Sequence, residues 1–464
     1  MKLKKVMALL MAGTMVLSMT ACGGSKDEGG SGSDGAEASD LKYTDIVLGE
    51  DYTDLEETIT FYNNRTDMAQ DDYPGTTWAD YVAEFNKVYP GITVKVDTDS
   101  AFADNSLLRL QGGDWGDIMF IPAVDKGDLS SYFLPYGSLE DMEKEIRCAS
   151  DWAYDGVSYG VPCSVEAQGV LYNKAVFAAA GIEELPKTPE EFIADLKLIK
   201  EKTDAIPLYT NYAAQWTMGA WDAYLGGSAT GDSAYANQVM IHTADPFSDP
   251  GDGTHAYNVY KILYDAVAEG LTEDDYSTTD WEGSKTMMNN GEIGTMVLGS
   301  WAFTQMQQAG EHPDDIGYMS FPISVNGKQY ATAGGNYNYG INAESSETKQ
   351  QAAMVFVKWM VEESGYAFNE GALSADIENN DLPATYADFG DVELVYNDPA
   401  LEGEEDYLNM INADSELMVN AGGNTKVQAI VEHAANKDMS FDDIMADWNQ
   451  SWKDGMEYND IEAK

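Results

Sequence analysis

Cysteine, histidine and cationic side chains are scarce in this chain, and each shortage removes a class of function. There are three cysteines, and beyond Cys22 only Cys148 and Cys163 remain, with no C-x-x-C spacing. That excludes a dense disulfide framework and a thiolate zinc site, and leaves open whether the last two pair. The four histidines (His242, His255, His312, His433) are scattered without metal-type spacing. Lysine and arginine total 26 against 80 acids, a formal charge of −54. Such a surface repels nucleic acid and anionic lipid, so neither is expected as a partner. Beyond residue 19 no apolar run is long enough to cross a bilayer. No Gly-x-Ser-x-Gly elbow or P-loop is present.

What is present begins with the N-terminus. Lys2, Lys4 and Lys5 precede an apolar run from Val6 to Met19, 14 residues long, the pattern of a secretory signal over residues 1–22. It closes on Met19-Thr20-Ala21-Cys22, which resembles a lipobox with Met19 where leucine is usual. Cys22 is therefore the expected lipidation site, with an ordinary signal peptide cleaved nearby as the alternative. Residues 23–56 read as a flexible tether, richest in Gly, Ser, Asp and Glu up to residue 40. The protein is expected to face outward on the cell membrane, held only by its lipid anchor.

The body then alternates strands with helices. Thr58–Tyr62 is an alternating strand, Thr77 caps a helix presenting Trp78, Tyr81 and Phe85, and Ile92–Val96 is the next strand. This is a βαβ unit with parallel strands. Asp117–Ile121 is a third strand. The stretch Tyr159–Phe177 places one acid, Glu166, in an apolar extended run, then starts a helix near Asn173 that stops at Gly181. Thr188-Pro189-Glu190-Glu191 is a helix start with a capping box. Gly294–Leu298 is a strand, followed by Ser300 as the cap of a helix opening on Trp301. Phe321-Pro322 reads as a second crossover, and residues 376–400 as room for a third.

Several polar and aromatic residues fall just past predicted strand ends, where open α/β sheets bind ligands. Asn63, Asn64 and Arg65 follow one strand, Asp125 another, and Trp216 and Trp301 two more; Asn336 lies in the loop Gly334–Gly340. Indole faces cover the C–H face of a sugar ring, while amides, carboxylates and arginine bond its hydroxyls in pairs. The bland alternatives are core tryptophans, strand-ending asparagines and a surface ion pair. Trp221 competes with Trp216 on equal terms. Asp245, Asp249 and Asp252 form either an ordinary Asp/Pro/Gly turn or a weak calcium loop. No metal or cofactor is otherwise expected.

The ordered set of local motifs resembles the maltose-binding-protein family of extracellular solute-binding proteins that serve ABC importers. It comprises Val165-Glu166-Ala167, Gly112–Met119 with Gly116 for the usual proline, Tyr172-Asn173-Lys174 with Pro186–Phe192, Gly291–Met296 leading to Gly299-Ser300-Trp301, and Gly340–Ser345. The resemblance implies an α/β, two-lobe periplasmic-binding-protein-like fold of type II, with three interlobe crossovers and a cleft between lobes. The lobes would be 57–165 with 325–375, and 170–320 with 385–464. It implies sugar contacts at Asn64, Arg65, Asp125, Glu166, Trp216 and Trp301. It also implies no catalysis, a carbohydrate ligand, the transmembrane subunits of an ABC permease as partners, and a monomer. A surface glycoside hydrolase, or a carbohydrate adhesin or sensor without transport, are the competing functions.

Overall fold

The computed structural model describes residues 41–464. The signal segment, Cys22 and the tether as far as residue 40 lie outside the described residues. The tether expected over 23–56 ends sooner. Tyr43 is fully buried, its hydroxyl donates to Glu362 Oε1 at 3.0 Å, and its N–H donates to the Tyr136 carbonyl at 2.9 Å. Ile46 is buried as well, and Leu41 and Leu48 pack against the same core. Four apolar side chains within eight positions anchor a segment whose polar composition reads as linker.

The first sheet has five strands. Glu57–Asn63 pairs in parallel with Ile92–Thr98 over its whole length and with Ile118–Phe120 on its other side. Asn338–Ile341 and Val161–Pro162 extend the sheet antiparallel. The connecting helix Trp78–Val88 starts where Thr77 and Asp80 cap each other's backbone. Its Trp78 meets the Phe61 ring edge-on at 5.4 Å, and Phe61 also touches Phe120 and Tyr339.

The strand Val165–Asn173 organises the second sheet. One end pairs with Ile293–Gly299 on one edge and Ile316–Ser320 on the other; the other end pairs with Lys328–Gly335. Paired on both edges, it is buried nearly throughout, its polar residues Glu166 and Asn173 included. Asn173 then accepts the Val176 N–H to cap Lys174–Ala180, and Gly181 ends that helix in the left-handed region at φ 76°. Thr188 caps Pro189–Lys202 as expected. The Glu191 carboxylate, however, accepts from the Lys187 N–H, one residue before the cap.

Three passages join the two sheets. The first runs through residues 163–164. The second, expected at Phe321-Pro322, comes later, through Asn336-Tyr337. The ladder from Lys328–Gly335 to Val165–Ala167 and to Glu393–Tyr396 keeps that segment in the second sheet until Gly335. The third lies between Asp376, bridged to Ile146 of the first lobe, and Glu393–Tyr396 of the second sheet. This is the two-lobed α/β architecture expected from the motifs, with the second crossing moved by about 15 residues.

Deep in the second lobe, Lys426 Nζ pairs with Asp222, and both side chains are almost wholly buried. Asp222 also accepts from Tyr260 OH at 2.6 Å and from the Asn420 N–H at 2.9 Å. Burial lowers the Lys426 pKa even beside this partner. Removing one member of a buried pair strands the other charge. Lys426→Met is expected to cost roughly 3–5 kcal/mol of stability, read as a lowered melting temperature; an unchanged melt would show the pair contributes nothing.

Candidate functional site

The chain segments carrying Glu166 and Trp301 are stitched together at their strand ends. The Ser300 N–H donates to the Ala167 carbonyl at 3.0 Å, and the Ala167 N–H donates back to Ser300 Oγ at 3.2 Å. Trp301 therefore follows directly after a residue bonded to the chain neighbour of Glu166. Gly299 leaves room for the indole: a Cβ there would sit 2.8 Å from the Trp301 indole nitrogen and 3.3 Å from Gln168 Oε1. The indole folds back over the strand end, next to the Gln168 amide. Ser300 was expected to cap the following helix. Instead its hydroxyl accepts from the Ala167 N–H and from Tyr386 OH, and Ala302–Gln308 begins without a side-chain cap.

Trp301 is one of three mutually touching indoles. Its ring lies 5.6 Å from Trp216 and 5.7 Å from Trp281, and Trp216 and Trp281 are 5.3 Å apart. Trp281 is absent from the residues singled out in the sequence. Its only local signal is a helix start, Asp280 capping Trp281–Asn289. Two loops are pinned together to bring it in. The Tyr212 and Tyr276 rings touch at 4.6 Å, the Ala213 N–H donates to Thr279 Oγ1 at 2.8 Å, and the Asp280 N–H donates to Tyr209 OH at 2.8 Å. The ambiguity between neighbouring tryptophans resolves here. Trp216 is 42% exposed, whereas Trp221 is 2% exposed and packs edge-on against Phe321.

Glu166 is 7% exposed. Asn336 Nδ2 donates to its Oε1 at 2.5 Å, so the acid from the first passage is tied to the amide from the second. Burial pushes the Glu166 carboxyl up to about 8, opposed by the field of Arg65. Next to Asn336, the Tyr337 ring stacks on Phe120 at 5.2 Å.

On the first lobe, Asn63 ends its strand and its Oδ1 accepts the Arg65 N–H at 2.9 Å. Asn63 Nδ2 and Asn64 Oδ1 are buried without a hydrogen-bond partner. Arg65 is already committed. It pairs with Asp67 at 2.9 Å and Glu370 at 2.8 Å and donates to Tyr73 OH at 3.0 Å. Asp125 is exposed, and its Oδ1 accepts the Gly127 N–H at 2.9 Å. The structure thus joins Glu166, Asn336, Trp216 and Trp301 through direct or adjacent contacts. Arg65 and Asp125 hold local backbone and ion-pair roles at the ends of first-lobe strands.

The other candidates resolve locally. Asp249 accepts the Gly251 N–H and Asp252 accepts from Thr254, and no cluster of His, Cys, Asp or Glu suited to a metal occurs among the described residues. Cys148 and Cys163 are both free thiols. No helix of the described residues is long and apolar enough to cross a membrane.

Two α/β lobes joined by three passages are an architecture that receives a ligand between its halves. The model of the bacterial extracellular solute-binding protein family matches residues 70–367, and the chain belongs to that family. It is similar to the manno-oligosaccharide specific solute-binding protein BlMnBP2 of Bifidobacterium animalis subsp. lactis, solved with mannotriose. Identity is 57% over 91% of this chain and 99% of that one, with a TM-score of 0.87. BlMnBP1 of the same organism, a binding protein of an ABC transporter solved with mannobiose, is also 57% identical, over 91% of this chain and all of that one, again at 0.87. The diacetylchitobiose binding protein DasA of Streptomyces coelicolor is 28% identical, covering 82% of this chain and 85% of its own.

Glu166 makes a pH prediction. Its folded pKa, about 8, lies above the ordinary 4.5, so between those values the native state holds a proton that the unfolded chain releases. The stability linked to that proton is complete below about 4.5 and is lost as pH rises through about 8. Glu166→Gln should therefore melt higher than the parent at pH 9, by the equivalent of a few kcal/mol, with the gap closing by about pH 4. Melting curves of the ligand-free protein that stay parallel across this range would refute the shift.

Proposed function

We propose that this chain is the substrate-binding component of a carbohydrate ABC importer, and that its ligand is a manno-oligosaccharide. The observation that carries this reading is the cluster of Trp216, Trp281 and Trp301 set against the buried pair Glu166–Asn336 at the junction of the lobes. The indoles offer an apolar platform for pyranose rings. Glu166, Asn336, Gln168 and the unpartnered amide atoms of Asn63 and Asn64 offer hydrogen bonds to hydroxyls. Closure of the lobes buries the sugar between the two sets, and the closed form docks on the permease. The likeness to two mannoside-bound proteins, each 57% identical, supports mannosides over other glycans. We take the lobes to meet at residues 163–164, 336–337 and the stretch before Glu393.

We also read the chain as non-catalytic. A glycosidase needs two carboxyl groups flanking the scissile bond, whereas the Oε1 of Glu166 already accepts from Asn336 and the Glu273 carboxylate accepts from Thr210. Titration calorimetry with mannotriose should give saturable binding with the trisaccharide recovered intact. Trp301→Ala should weaken it at least about tenfold, ~1.4 kcal/mol. Release of mannose or mannobiose would instead make the protein a hydrolase, and no binding would remove mannosides as the ligand.

The anchor belongs to the same reading: lipid attached at Cys22 keeps the protein on the outer face of the cell membrane as a monomer. With Cys22→Ser, the protein should leave the membrane fraction for the medium and lose incorporation of labelled palmitate; release of both forms to the medium, neither carrying palmitate, would argue for a cleaved, unlipidated product.

A further inference from the structure

The second passage carries an aromatic ring that the fold leaves open. Tyr337 is 38% exposed, although it sits between Asn336, which is bonded to Glu166, and Asn338, which is buried. Its ring neighbours come from the ends of first-lobe strands. Phe120, the last residue of Ile118–Phe120, stacks on one face of the ring, 14° from parallel at 5.2 Å. Phe102 opens the helix that follows Ile92–Thr98 and stands perpendicular to the Tyr337 ring at 5.8 Å. Phe102 in turn touches Tyr62, near the end of Glu57–Asn63. These three strands are parallel. Tyr337 therefore crowns their C-terminal ends, the side on which open α/β sheets receive ligands.

The backbone on either side of the ring is tied to the site. The Tyr337 carbonyl accepts from the Cys163 N–H at 2.9 Å, and the Tyr337 N–H donates to Asn336 Oδ1 at 2.7 Å. The Asn336 amide thus bonds Glu166 through its nitrogen and Tyr337 through its oxygen. The hydroxyl end of Tyr337 is turned inward: burial first, then Cys163 and Glu166, push its pKa up. Tyrosine ordinarily buries its ring and leaves its hydroxyl in water. Here the hydroxyl faces the protein, and the ring surface that Phe120 and Phe102 leave uncovered is open.

We propose that Tyr337 is a further sugar-contact residue: its open ring surface receives a pyranose, so that the first-lobe side of the cleft contributes an aromatic surface besides the indoles of the second lobe. The inference rests on the sugar-binding reading. A ring already backed by Phe120 loses little freedom when a sugar lands on it, and its flat surface matches the C–H face of a pyranose.

Tyr337→Phe keeps the ring and removes the hydroxyl, whereas Tyr337→Leu keeps apolar cover over Phe120 and removes the flat surface. Both are titrated with mannotriose and melted without it. Tyr337→Leu should bind about fivefold more weakly than the parent, the loss of one aromatic contact, and Tyr337→Phe should stay within about twofold. In fluorotyrosine-labelled protein, the fluorine resonance missing from Tyr337→Phe belongs to Tyr337, and it should move when mannotriose is added. Parental affinity in Tyr337→Leu overturns the proposal. So does an equal loss in Tyr337→Phe, which assigns the effect to the hydroxyl, and so does a resonance that stays in place. If Tyr337→Leu does not fold, a moved resonance together with near-parental affinity in Tyr337→Phe supports the contact, and an unmoved one overturns it. A parent that binds no mannotriose removes the sugar reading and this contact together, whereas a binding parent with an unaffected Tyr337→Leu removes this contact alone.

Discussion

A carboxyl group held out of water between two strands is the constraint on which the cleft depends. Glu166 lies on the strand that leaves the first passage, and it is satisfied by the amide of Asn336, which lies on the second. An acid so placed is costly unless bonded, so the bond fixes the two passages relative to each other. The same strand end receives Ser300, and through it Trp301. One strand end thus carries both the tie between the two passages and the floor that leads to Trp301.

From that floor the two lobes offer different chemistry. The second lobe contributes the indoles, held by a mesh of short contacts among Tyr209, Tyr212, Tyr276 and Thr279. The first contributes amides at a strand end, where Asn63 Nδ2 and Asn64 Oδ1 lack partners. Arg65 supports this end by joining Asp67 and Glu370. In the reading proposed above, an apolar platform and unsatisfied hydrogen-bonding groups would match the two surfaces of a pyranose, one of C–H bonds and one of hydroxyls.

Local signals proved sufficient where a helix is defined by its own ends. Thr77 and Asp80, Asn173 with Gly181, and Thr188 with Pro189 bound their helices in the chain as in the structure. They failed where a side chain answers to a distant partner. Ser300 has the identity of a cap, but the Ala167 N–H and the Tyr386 hydroxyl take it. Residues 41–56 look like tether until Tyr43 finds Tyr136 and Glu362. Phe321-Pro322 looks like a crossing until the ladder to Val165–Ala167 carries the strand onward.

Sequence alone determined the α/β class, the parallel βαβ start, the unusual acid at 166 and the tryptophan at 301, because each is written in period, caps or a single residue out of place in its run. Tertiary structure decided which tryptophans join Trp301, that Arg65 pairs with Asp67 and Glu370, and where the chain passes between lobes. Those depend on contacts between residues far apart in the chain, such as Trp216 with Trp281 and Trp301, and no local pattern encodes a distance across a folded sheet.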